Sequence, residues 1–456
     1  MKSRAYRRSD VKLLDRELLV EAAAKRGSAR VSLGLDIAKD EIVAVLRWSD
    51  GEVERPWSLK NPTEIGELLD IVQRLKRVGQ QVVVGLESTG SYGEAVRRAL
   101  TLAGIEVHRV SGKAVCDYKE VYDGVPSQHD GKDAAVIAEL TAFGKGTAWP
   151  YEEESEFIEQ LRHRMNRLEA YRVQLTQWIG RLEALLGAHW PELTKLLNLE
   201  SVTLLSMLEH YGGPSTVAAD AQAWERLRGW GGSMLSKSKI EQVIASAQQT
   251  AGVPLNKSEA QWLREVSGEA LSALRQVGKC EKELKRLIES DKFFKDYVQD
   301  IGAGTLAAIL TTVGDPRKYD SAGAFLKALG LNLKERSSGR RKGELAISKR
   351  GPSRARRWLF YWSLRGVQRE ELKGWYEEFI KVGKGTSDGK QEHRKMKGII
   401  ALMRKQCRGL WHAMKHGEEF EYGKLLGPTK RERRRSRRSV KRAEKRSRQA
   451  VAPVSG

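Results

Sequence analysis

The sequence predicts an α/β domain with a mixed sheet, followed by long coiled-coil helices and a mainly α C-terminal domain. Three observations point there. Short apolar runs alternate with amphipathic ones between residues 31 and 150. Leucines then recur every seven residues along two stretches. Beyond residue 293 helical patterns return, broken by glycine-rich turns.

In the first region, Val31–Asp36 and Ile42–Trp48 read as strands. Asp50-Gly51 turns the chain, so Val53–Leu59 can pair back as a third strand. Asn61-Pro62 opens a helix reaching about Val78, with Ile65, Leu68, Leu69, Val72 and Leu75 on one face. Gln81–Glu87 is a fourth strand, and its Val82-Val83-Val84 run suits a buried position. A helix at Tyr92–Ala103 and a strand at Glu106–Val110 follow. A meander followed by alternating helices and strands calls for a mixed sheet.

After Pro150 the period changes. Leu161, Leu168, Leu175 and Leu182 form one seam, with Met165, Ile179 and Leu186 beside it and Arg172 interrupting. Leu263, Ala270, Val277 and Leu284 form a second, accompanied by Val266, Ala273, Cys280 and Leu287. An antiparallel pair within the chain is the simplest arrangement, and an intermolecular coiled coil is the rival. Short helices with Gly and Pro breaks fill residues 190–257. In the third unit, Gly302-Ala303-Gly304 forms a tight turn before a helix. It is read either as a helix-hairpin-helix element holding a DNA phosphate or as a plain helix start. Ser337–Gly343 is read as a loop, and a basic helix with Arg354, Arg356 and Arg357 beside Trp358, Phe360, Tyr361 and Trp362 follows. The expected domains are a basic arm (1–30), the α/β domain (31–150), the coiled-coil domain (151–292), the C-terminal domain (293–427) and a basic tail (428–456).

The formal net charge is +22, with 40% hydrophobic residues. Real cores are affordable, and the charge calls for a polyanion. No apolar run approaches a membrane span, and no signal peptide is seen, so cytoplasm is the expected compartment. Cys116, Cys280 and Cys407 lie far apart, which argues against a disulfide framework or zinc site. Between Lys430 and Arg448 twelve Lys or Arg face two Glu, a pattern for binding phosphate backbones.

Four acids stand out. Asp36 ends the first strand and Glu87 the fourth, where neighbouring strand ends can share one edge. Asp130 and Asp133 open a helix three residues apart, on one face. Singly, each has a bland explanation in capping or ion pairing. Together they match what Mg²⁺ needs, one or two ions held by carboxylates. Ser337 and Ser338 lie among Arg336, Arg340, Arg341 and Lys342, cations suited to a phosphate; Lys349 and Arg350 add to them. The residues alone do not choose between the two serines.

The order of these features resembles the transposases of insertion sequence family 110, the bridge-RNA-guided recombinases with a DEDD motif. Gly34-Leu35-Asp36-Ile37-Ala38-Lys39, Glu87-Ser88-Thr89-Gly90-Ser91-Tyr92 and Asp130-Gly131-Lys132-Asp133-Ala134 resemble its acidic motifs. Gly302-Ala303-Gly304, Gly314-Asp315-Pro316, Leu329-Gly330-Leu331, Ser338-Gly339 and Ile347-Ser348-Lys349-Arg350-Gly351 follow in its order. The resemblance implies a ribonuclease H/RuvC-like α/β domain. It implies Ser338 as the nucleophile, forming a covalent phosphoserine link. It also implies double-stranded DNA partners (element ends and target), a non-coding bridge RNA, and a homo-oligomer in which dimers assemble to a tetramer. The site can form in cis or between protomers. Two rivals use the same residues: a resolvase-type nuclease activating water, and a non-catalytic nucleic-acid-binding protein. A sugar-kinase or actin-like ATPase lacks a second glycine-rich phosphate loop here.

Overall fold

The computed structural model describes residues 7–87, 90–124, 129–338, 341–381 and 390–426. The basic tail and Arg340 lie outside them. The chain divides between Glu153 and Glu154 into two compact units.

The first unit is built on a seven-stranded mixed sheet, in the order β1-β4-β3-β2-β5-β6-β7. The strands are β1 (Ser9–Asp10), β2 (Arg30–Ile37), β3 (Glu41–Arg47), β4 (Trp57–Lys60), β5 (Gln81–Glu87), β6 (Glu106–Val110) and β7 (Thr147–Ala148). β2, β3 and β4 form the antiparallel meander, and β5 and β6 extend it in parallel. In β2, β3 and β5 both faces are buried along the middle of the strand, which is why they read as continuous apolar runs. Five helices accompany them: α1 (Arg16–Lys25), α2 (Ile65–Arg77), α3 (Glu94–Leu102), α4 (Gly112–Asp123) and α5 (Asp130–Ala142).

Two expectations differ from the structure here. Val53 makes only an isolated bridge to Arg47, and the third strand begins at Trp57. Pro56 has no amide to donate, so the ladder starts after it. Residues 9–25, expected in a basic arm, fold onto the sheet. β1 pairs with β4, Val11, Leu19 and Ala23 are buried, and Arg16 pairs with Glu67 and Asp70 of α2.

Among its described residues the second unit is helical except for one hairpin. Its long helices are α6 (Glu156–His189) and α12 (Lys257–Glu289). Between them come α7 (Leu193–Leu196), α8 (Val202–Tyr211), α9 (Pro214–Ala219), α10 (Ala223–Gly231) and α11 (Lys237–Gln248). Ser155 caps α6 through the Ile158 amide, and Asn256 with Glu259 forms a capping box on α12, each fixing where a long helix begins. The two apolar seams bury against each other within the chain. Arg172 pairs with Glu281, and Trp178 meets Trp262 edge-on at 6.5 Å. One helix's numbers rise as the other's fall, so the pair is antiparallel. Arg172, the break in the seam, lies half-exposed beside its glutamate rather than in the core.

At the end of the pair where α12 finishes, Phe157 stacks on Phe294. There follow α13 (Val298–Ile301), α14 (Ala303–Thr312), α15 (Ala322–Ala328), strands β8 (Leu333–Ser338) and β9 (Arg341–Ile347), then α16 (Ser353–Gly366), α17 (Glu370–Lys381) and α18 (Lys390–His416). Among the described residues no helix is long and apolar enough to cross a membrane. Cys116, Cys280 and Cys407 are all free thiols.

Candidate active site

The acidic site starts from two glycines. Gly34 and Gly85 are register partners on the parallel strands β2 and β5, and α5 lies directly on them. A β-carbon at Gly34 would meet the Ala134 carbonyl oxygen at 2.0 Å, and one at Gly85 would meet Thr141 Oγ1 at 1.9 Å. Only glycine lets a helix come so close. Strand side chains alternate, so Asp36 and Glu87, two residues beyond their glycines, return to the face that carries α5. Asp130 and Asp133 stand in the first turn of α5, where the helix dipole favours negative charge. The repeated pattern of glycine, leucine and acid is therefore one device used twice.

Asp36 and Glu87 sense the acids around them. Burial, reinforced by the charges of Asp133, Asp130 and Glu87, pushes the Asp36 carboxyl from 3.8 up to about 6, with Lys119 pulling the other way. Glu87 is raised by burial and by Asp133, and lowered in part by Lys119. Such mutual repulsion in a half-buried site is the electrostatic condition that a bound cation relieves. Among the described residues, no three His, Cys, Asp or Glu side chains sit close enough together to hold a metal ion. Positive side chains supply the balancing charge: Lys119 of α4 pairs with Asp133, and Arg8 reaches Asp130 at 3.0 Å and Glu41 at 2.5 Å. A β-carbon at Gly112, the first residue of α4, would meet Glu87 Oε1 at 2.1 Å, so this helix start closes tightly on the glutamate. Lys132, inside the Asp-Gly-Lys-Asp motif, is 1% exposed and bonds Asp123 at 2.7 Å. It ties the start of α5 to the end of α4.

The second unit carries the serine. The described residues of Ser337–Gly343, expected as a loop, belong to a hairpin: Leu333 pairs with Ile347, Arg336 with Glu344 and Ser338 with Arg341, with a bulge between Arg336 and Ser338. Ser338 is the last residue of β8. Arg336, Arg341 and Lys342 are strand positions on the same ribbon. The hairpin's base explains two glycine motifs distant in sequence. A β-carbon at Gly351 would meet the Ala328 carbonyl at 2.5 Å, and one at Gly330 would meet the Arg350 backbone at 2.9 Å. The Lys349 amide bonds Gly330 O at 2.9 Å, and Ser348 N bonds Asn332 O at 2.8 Å. Lys349 has φ 58, in the left-handed region costly for a side chain. Lys349 and Arg350 are exposed beside this knot. The serine thus ends a strand rooted in tightly packed backbone.

A family model described as "Transposase", for DEDD-type IS110 proteins, matches residues 33–191, and a second, "Transposase IS116/IS110/IS902 family", matches residues 298–377. The chain belongs to the IS110 family of transposases. The first match contains all four acids and the second contains Ser338. An uncharacterized 44.8 kDa protein of insertion element IS116 from Streptomyces clavuligerus is 26% identical over 349 residues, which cover 73% of this chain and 84% of its own length. An uncharacterized 43.6 kDa protein of insertion element IS110 from Streptomyces coelicolor is 24% identical over 264 residues, covering 57% of this chain and 65% of its own.

In this transposase the glycine turn at residues 302–304 is a packing device. Gly302 has φ 88, as the tight turn requires. A β-carbon at Gly304 would meet the Trp358 ring at 2.4 Å, and Arg365 donates to Ile301 O at 3.2 Å. Trp362 Nε1 donates to Asp300 O at 3.0 Å. The basic helix is likewise partly consumed. Arg354 and Arg357 donate to Glu169 of α6 at 2.9 and 3.0 Å, joined by Trp358 Nε1 at 3.2 Å. Arg356 donates to Gly351 O at 2.6 Å, clamping the hairpin base. The residues missed in sequence are Lys119, Arg8, Gly85 and Gly112. Only Gly85 had a local signal, the echo of Gly34-Leu35-Asp36 in Gly85-Leu86-Glu87.

Proposed function

We propose that this transposase cuts and rejoins DNA at the ends of an insertion sequence and at its target, using Ser338 as nucleophile and the four carboxylates as a Mg²⁺ site. The observation that carries the reading is that Asp36 and Glu87 end neighbouring parallel strands on the face covered by α5, whose first turn carries Asp130 and Asp133, with a raised Asp36. Hard oxygen ligands and clustered negative charge suit Mg²⁺. When bound, one or two such ions supply Lewis-acid stabilisation of charge on a phosphodiester. To hold such an ion, Asp133 and Asp130 would have to give up their pairs with Lys119 and Arg8, which would then be available to a phosphate. The sheet is read as of the ribonuclease H and RuvC type. Ser338 Oγ attacks phosphorus as the bond to the leaving sugar oxygen breaks, so one phosphodiester replaces another and the reverse step reseals the strand. Arg336, Arg340, Arg341, Lys342, Lys349 and Arg350 neutralise the backbone around it. A bridge RNA pairs with both DNAs and sets the sequence, and the protein works as a dimer assembling to a tetramer in the cytoplasm, at the nucleoid.

The test is a denaturing protein gel after incubation with Mg²⁺, the flanking non-coding RNA and labelled element-end DNA. A labelled adduct is expected with the natural chain, and none with Ser338→Ala or Asp36→Asn. Cleavage that persists in Ser338→Ala without an adduct overturns the serine mechanism in favour of a water-using nuclease.

A further inference from the structure

Beyond the strand-exchange residues, a cleft of about 680 Å³ runs between α6 and α16 in the second unit. That is within the ~300–1,000 Å³ typical of small-molecule sites. α6 contributes Arg172, Val173 and Gln177; α16 contributes Arg357, Tyr361 and Arg365. The floor is Trp358, which Arg172 overlies at 5.5 Å and Tyr361 meets edge-on at 6.3 Å. Val173 is 53% and Tyr361 47% exposed, so an apolar side chain and an aromatic face stand open to solvent inside a cleft. Glu169 is the one acid in the lining, and it is already shared by Arg354, Arg357 and the Trp358 indole.

We propose that this cleft binds an unpaired nucleobase, stacked on Tyr361, with its phosphate at the Arg357 and Arg365 rim. The argument is complementarity of shape and charge. A flat aromatic platform ringed by arginines fits a base with its phosphate. Gln177 and the neighbouring Thr176 bring amide and hydroxyl groups suited to a base edge. Arg172 and Arg357 already pair with Glu281 and Glu169, and an apolar peptide would bring no anion to Arg365, which donates to the Ile301 carbonyl; a duplex would keep its bases inside the stack. The proposal rests on the reading that this chain handles nucleic acid, and it adds that some of that nucleic acid is held with a base swung out.

The experiment uses the full chain and single-stranded oligonucleotides carrying one 2-aminopurine, made as DNA and as RNA, with the duplex of the same sequence as reference. Stacking on Tyr361 quenches 2-aminopurine fluorescence. Tyr361→Ala is expected to abolish the quenching and weaken single-strand binding about tenfold or more. Tyr361→Phe should preserve both, because the ring remains. Val173→Glu, at an exposed position that tolerates a polar side chain, should also weaken single-strand binding. Duplex binding should be unchanged in all three. The stronger-quenched strand, DNA or RNA, identifies the source of the base. Unchanged quenching in both Tyr361→Ala and Val173→Glu overturns the pocket, as does an equal loss of duplex and single-strand binding. If the natural chain binds neither strand nor duplex, the reading beneath the proposal falls with it.

Discussion

The two candidate halves of the catalytic apparatus are built in opposite ways. The acids of the first unit sit on buried strands and on a helix that rests on glycine, and their positions follow from backbone contacts no side chain can alter. Ser338, Arg336 and Arg341 sit on a two-stranded ribbon anchored at its base by the Gly330–Gly351 knot and by the buried Ile347. The first arrangement fixes groups that repel one another. In the proposed mechanism the second would offer groups to a large ligand that enters and leaves. A carboxylate cluster needs rigid support because its own electrostatics push it apart; a phosphate-facing ribbon does not.

The largest effect expected from breaking this contrast is on the glycine under α5. Gly34→Ala places a methyl 2.0 Å from a backbone oxygen. Urea unfolding should show a loss of at least about 3 kcal/mol, the upper end of overpacking costs. A stability within 1 kcal/mol of the natural chain would mean α5 can lift from the sheet, and the acids are not fixed as described.

Titration of Asp36 gives a smaller effect with a definite sign. Its pKa is 3.8 unfolded and about 6 folded, so the folded protein holds this proton longer. Its contribution to stability is lost as pH rises from about 4 to 6 and stays lost above. In EDTA, Asp36→Asn should therefore raise Tm at pH 7.5 by about 2–4 °C, roughly 1 kcal/mol in a domain of this size. At pH 4 the gain should vanish. A Tm at pH 7.5 equal to or below that of the natural chain would contradict the repulsion.

These contrasts also explain what could be read beforehand. The strands and the four acids were legible because apolar runs ended by a charge are local signals. Lys119 and Gly112 were not, since nothing near them marks α4 as a neighbour of Glu87. The segment at residues 9–25 looked like an arm because its arginine partners lie on α2. The hairpin looked like a loop because Lys, Ser and Gly have poor strand propensity; its pairing depends on two distant glycines, Gly330 and Gly351, locking its base. Arg354 and Arg357 read only as part of a basic helix, because their partner Glu169 is some 185 residues earlier.

The smallest effect is at Lys349. Lys349→Gly removes a left-handed side chain and should add up to about 1 kcal/mol of stability in urea. If the lysine meets a phosphate, the slope of log K against log salt should fall by about one. An unchanged slope would remove Lys349 from the DNA-facing set.

The account stands most directly on the four acids forming one cation site. Isothermal titration of the full chain with Mn²⁺, a probe for Mg²⁺, tests that. The natural chain should show saturable binding that weakens at least about tenfold in Asp36→Asn, Glu87→Gln and the double variant. No binding by the natural chain, or equal binding by the double variant, would contradict it.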